Sequence, residues 1–86
     1  MLEIEYFSEL GTGADGGIRH RFVATLWDHG QMYRGLVDLI VYNDGRIDRL
    51  APSQLLLNHL DYTKPVTDRA VNLLRKKFVG LHTELE

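Results

Sequence analysis

The chain has 86 residues, 44% of them apolar and none of them cysteine, with a formal net charge of −2. That suffices for a single domain, residues 1–86, with a real core, but it rules out a disulfide framework, a zinc ribbon and a thiol nucleophile. Acid is concentrated at the start, where Glu3, Glu5, Glu9 and Asp15 meet no base, which argues against a general polyanion binder.

The first six residues after Met1, Leu2-Glu3-Ile4-Glu5-Tyr6-Phe7, alternate and are rich in strand formers. They predict a strand over 2–8 that offers Leu2, Ile4 and Tyr6 to a core. Gly11-Thr12-Gly13-Ala14-Asp15-Gly16 then fits G-x-G-x-x-G. That pattern holds a pyrophosphate only where it opens a helix. Here the residues from Ile18 to Trp27 place an apolar side chain at every second position, so a strand follows. The expectation is a long, mobile loop over 9–17, with glycine supplying positive φ, and no cofactor.

Asp28-His29-Gly30-Gln31 separates two alternating runs. A two-residue His29-Gly30 turn needs positive φ, which suits Gly30 better than His29. It sets Leu26 against Tyr33, Ala24 against Gly35, Phe22 against Val37, His20 against Leu39 and Ile18 against Val41. The opposite side pairs Trp27 with Met32, Thr25 with Arg34, Val23 with Leu36, Arg21 with Asp38 and Arg19 with Ile40. A one-residue slip would mix the two sets. Asn43-Asp44-Gly45 predicts the next turn, with Gly45 left-handed, Ile47 opposite Val41 and a short strand over 46–50. The first strand fits on either side of this meander.

Pro52 suits the first turn of a helix capped by Ser53 or Ala51. Leu55, Leu56, Leu57 and Leu60 predict that it is mostly buried and ends near Asp61. Thr67 is expected to cap a longer helix, with Asp68 in its first turn. Ala70, Leu73, Leu74, Phe78 and Leu81 form its apolar stripe, and Arg69, Asn72, Arg75, Lys76 and Thr83 its wet side. The predicted fold class is α+β: an antiparallel meander of three to four strands followed by two helices packed on one sheet face.

Catalytic and metal patterns are weak. His20, His29, His59 and His82 are too widely spaced for a local metal pair on one element, and His20 falls on the core side. Ser8 and Ser53 have no elbow motif or neighbouring base. Arg75-Lys76-Lys77 reads as a solvated helix end where cations suit the dipole. A non-catalytic protein without metal is expected. No apolar run reaches the roughly 20 residues of a membrane span, and the acidic N-terminus is unlike a signal peptide, so the expected setting is cytoplasmic.

The informative feature is the sheet face turned away from the helices. It should carry Trp27, Met32, Leu36, Ile40 and Tyr42 among Arg19, Arg21 and Arg34. A solvated face would be polar throughout, whereas aromatics, methionine and arginine are enriched in protein interfaces. Three readings compete. The chain's own loop or terminus covers the face; or a protein docks there, most simply a second copy in a homodimer; or single-stranded nucleic acid stacks on Trp27 and Tyr42. The expected function is a small protein-binding domain of the regulatory or inhibitor type. Nucleic-acid binding is the alternative, disfavoured by the acidity and the lack of an RNP-type motif.

Overall fold

The structure, a computed structural model, describes residues 1–13, 16–50 and 53–77. Four antiparallel strands lie in the order β1-β2-β3-β4: β1 Leu2–Thr12, β2 Ile18–Asp28, β3 Gln31–Val41 and β4 Ile47–Arg49. Two helices follow, α1 Gln54–Asn58 and α2 Thr63–Lys77, with a 3-10 turn at Leu60–Tyr62 between them. The α+β class expected from the pattern is the class observed. β1 flanks β2 and is an edge strand.

The β2–β3 register is the expected one throughout, from Ile18 opposite Val41 to Asp28 opposite Gln31. The turn is built as a pair of left-handed residues, His29 at φ 52° and Gly30 at φ 78°, the geometry that matches strand twist. His29 therefore takes the strained position despite its side chain. At the next turn Gly45 has φ 88°, and Ile47 stands opposite Val41 as expected. Asp44 Oδ1 accepts the Arg46 N–H at 2.9 Å and fixes that turn.

The first strand is longer than its alternation suggests. It runs to Thr12 through two register shifts, between Tyr6 and Ser8 and between Glu9 and Gly11. Each shift admits an extra residue and breaks the period of two. Gly11, at φ 104°, supplies the backbone freedom at the second. The part of the expected loop from residue 9 to 12 is thus strand, and Gly13, Gly16 and Gly17 form the described part of the connection. It is closed by Gly13 N–H to Gly17 C=O at 2.8 Å and Gly16 N–H to Gly13 C=O at 3.1 Å. No helix opens behind the glycines, since β2 begins at Ile18.

Ser53 caps α1, its Oγ accepting from the Leu56 N–H at 3.5 Å. The helix is shorter and wetter than expected. Leu55 and Leu56 are buried, while Leu57 and Leu60 are exposed. α2 starts four residues before Thr67, so Thr67 is not its cap. Its hydroxyl instead donates to the Thr63 carbonyl at 2.7 Å, one turn back. Pro65 lies in the first turn, where a missing N–H costs no intrahelical bond. Asp68 falls in the second turn and pairs with Lys64 at 2.6 Å. Val66, Ala70 and Leu74 form the buried stripe, with Leu73 half-buried beside them. The expected contributions of Phe78, Leu81 and Thr83, like those of Ala51 and Pro52, lie outside the described residues.

Both helices lie on one sheet face. Leu2, Ala24, Leu26 and Val37 meet Leu55, Leu56 and Val66 at one end, and Phe22 and Leu39 meet Ala70 and Leu74 at the other. α1 approaches β3 closely at Gly35, where a Cβ would fall 2.6 Å from the Leu55 Cβ. α2 lies along β1, with Arg69 donating to the Leu2 carbonyl at 2.6 Å and Lys77 Nζ 4.7 Å from the Tyr6 ring centre.

Candidate functional site

The helix-free face follows from the register. Side chains alternate across a strand, so burial of Phe22, Ala24, Leu26, Val37 and Leu39 under the helices turns Arg21, Val23, Thr25, Leu36 and Asp38 outward. The pairings place Arg19, Arg21, Arg34, Trp27, Met32 and Leu36 together on this face, with Tyr42 at its far end.

A charge network orders its middle. Arg21 donates Nε to Asp38 Oδ1 at 2.9 Å and an Nη to Oδ2 at 3.0 Å. Arg19 donates to the same Oδ2 at 3.1 and 2.7 Å. The cross-strand pair explains the first contact. Arg19 is the diagonal neighbour on the same face, within reach of a long side chain, and sequence reasoning missed it. The Arg21 hydrogen bonds, reinforced by Arg19, hold the Asp38 carboxyl below its usual range against the opposing effect of burial. Arg34 donates to Thr25 Oγ1 at 3.3 Å and covers that buried hydroxyl.

The apolar members are unequally exposed. Met32 is 55% and Leu36 43% accessible, whereas Ile40 is only 7%. Ile40 lies beneath the backbone of Gly17, where a Cβ would come within 2.6 Å of its Cγ1. Tyr42 is half-buried, with the Arg46 guanidinium 4.1 Å from its ring centre. Gly17 thus covers one end of the face, while Leu36 and Met32 farther along it stay open. β1 adds two exposed residues that sequence reasoning did not assign, Phe7 at 63% and Leu10 at 42%. They fall at the register shifts, so no alternation announced them.

An open cleft of about 410 Å³ sits where the loop meets the face, between Leu10, Gly11–Gly13, Arg19, Ile40 and Leu50. Its polar side chains are Thr12 and Arg19, and Arg19 is already engaged by Asp38. Among the described residues no three His, Asp or Glu side chains converge as metal ligands, and no helix is long and apolar enough to cross a membrane.

On the helix side His20 is buried, as its core position implied, with Nδ1 2.9 Å from the Tyr6 hydroxyl. Burial lowers the His20 pKa, with Glu9 opposing and Lys77 adding to the shift. The Tyr6 pKa is raised by burial and by Glu9. Both His20 and Asp38 have pKa values depressed by folding, so each contributes stability above its unfolded pKa and loses it as pH falls. His20 acts first, from about pH 6.5 downwards, and Asp38 only below about pH 4. The melting temperature should therefore fall between pH 7 and 5 and again under stronger acid. His20→Gln, which cannot titrate, should flatten the first segment and spare the second. Thermal melts across pH check this; an unchanged slope between pH 7 and 5 in the variant would refute the assignment to His20.

Comparison with protein-family models, curated proteins and solved structures finds no match. The functional reading accordingly rests on this face.

Proposed function

We propose that the chain is a non-catalytic protein-binding domain that forms a two-fold dimer through the helix-free sheet face. The observation that carries this reading is the exposure of Met32 and Leu36 on the face ordered by the Arg19–Asp38–Arg21 network, with Phe7 and Leu10 exposed on β1. Apolar side chains that could have been polar at no cost to the fold stand next to arginines already held in place. Pre-ordered arginine lowers the entropic cost of docking. A two-fold contact uses one patch twice, and twisted sheets stack face to face about 10 Å apart. A regulatory or inhibitor role in the cytoplasm suits a cysteine-free chain that acts by occupying another protein's surface.

Nucleic-acid binding is the weaker reading. Arg19 and Arg21 are committed to one carboxylate. Trp27 and Tyr42 stand at opposite ends of the strands, about 33 Å apart at roughly 3.3 Å per residue, too far to stack neighbouring bases.

Light scattering after size exclusion, at two protein concentrations and at low and high salt, tests the proposal. The expected result is a dimer that persists in high salt and is lost in Trp27→Asp. A monomer at every concentration would overturn the homodimer. Binding of a single-stranded oligonucleotide that collapses with salt would favour the alternative.

A further inference from the structure

The outer edge of β1 is a second surface, and its hydrogen-bonding phase follows from two distances. Met1 and Trp27 exchange both backbone bonds, Trp27 N–H to Met1 C=O at 3.0 Å and the Met1 amino group to Trp27 C=O at 3.3 Å. In an antiparallel pair such exchange recurs at every second residue. The backbones of Glu3 and Glu5 therefore face β2, opposite Thr25 and Val23. Those of Leu2, Ile4 and Tyr6 face outward. Arg69 confirms the phase independently, because it reaches from α2 over the edge to the Leu2 carbonyl. No other side chain among the described residues bonds to this edge at Ile4 or Tyr6.

Free strand edges invite pairing, and bulges and charges restrict it. Here the register shift after Tyr6 ends the regular stretch, and Arg69 occupies its start. Between them lie the outward N–H and C=O groups of Ile4 and Tyr6. Glu3 and Glu5 are both exposed beside them on the helix-free side, and among the described residues no basic side chain pairs with either. A second copy of β1 centred on Ile4 would set Glu3 against the other copy's Glu5 twice over, and like charges directly opposite are unfavourable. A strand carrying lysine or arginine at those positions would meet opposite charge instead.

We infer that the Ile4–Tyr6 edge of β1 is a docking site for an extended basic peptide of a partner protein, which adds as a fifth strand with its cationic side chains over Glu3 and Glu5. Main-chain bonds supply affinity, and the alternate side chains supply selectivity. The backbone groups of this edge lie outside the dimer contact, although Glu3 and Glu5 share the helix-free side with it.

Amide hydrogen exchange followed by NMR on the intact chain tests it, with an eight-residue peptide alternating valine and lysine and a counterpart alternating valine and glutamate. In the free protein the Ile4 and Tyr6 amides should exchange faster than those of Glu3 and Glu5. Saturation with the lysine peptide should slow Ile4 and Tyr6 by about tenfold or more, and the glutamate peptide should not. Glu3→Lys combined with Glu5→Lys should reverse the preference. Protected Ile4 and Tyr6 amides in the free chain would mean the edge is already covered and would overturn the inference. So would lysine-peptide binding that leaves both amides fast, or no binding at all.

Discussion

Gly35→Val is expected to destabilise the fold by about 3 kcal/mol, the upper end of what overpacking a core costs. Strand propensity alone predicts the opposite sign, since valine favours a strand and glycine weakens one. Contact decides. A Cβ on Gly35 would fall 2.6 Å from the Leu55 Cβ and 3.3 Å from its Cδ2. The Leu55 Cβ is fixed to the α1 backbone, so no rotamer change relieves the clash and the helix itself must shift. α1 is anchored by Leu55 and Leu56 among Leu26, Val37 and Val66, so that shift opens the core at this end of the sheet. Gly35→Ala should move in the same direction by about 1–2 kcal/mol. Gly30→Ala is the contrasting case. Nothing lies within 4 Å of a Cβ there, and the cost comes only from φ 78°, about 1 kcal/mol. Urea denaturation of the three variants measures the order. A Gly35→Val protein as stable as the parent would mean that α1 does not rest on β3 at this point.

That close approach shows where sequence reasoning reaches and where it stops. The β2–β3 register was legible because eleven residues on each strand alternate around one turn, and any slip would have exposed Phe22, Leu26 and Leu39. Gly35 appeared only as a partner for Ala24, because which element a small residue accommodates is a tertiary fact. The extent of β1 was hidden for a different reason. Its bulges put Phe7 and Leu10 out of phase, and a strand that breaks its own period resembles a loop. The start of α2 was displaced by taking Thr67 as its cap, whereas the helix opens at Thr63 with Pro65 in its first turn, where a proline loses no intrahelical bond. At the candidate face, the composition was readable and the accessibility was not. Ile40 is withdrawn under Gly17, and Arg19 joins Arg21 on Asp38. Both depend on how Gly17 and long side chains settle on the finished sheet.

Leu36→Asp is the substitution on which the dimer proposal turns, because it separates association from folding. Leu36 is 43% exposed, opposite Val23 and two residues from Arg34 along β3. A carboxylate there keeps access to water and to a nearby cation, so the monomer should change by about 0.5 kcal/mol or less, as at ordinary surface positions. In a two-fold dimer the same residue enters the contact from both subunits. Loss of a central apolar anchor costs about 2 kcal/mol, so two copies amount to roughly 4 kcal/mol, a dissociation constant raised about a thousandfold. Leu57 provides the control. It is 52% exposed on α1, on the helix side of the sheet, so Leu57→Asp introduces the same charge away from the proposed contact and should leave the dimer intact. Sedimentation equilibrium of both variants, with urea melts to confirm equal folding, reads the difference directly. A Leu36→Asp dimer as tight as the parent, or equal weakening by Leu57→Asp, would remove the helix-free face as the interface.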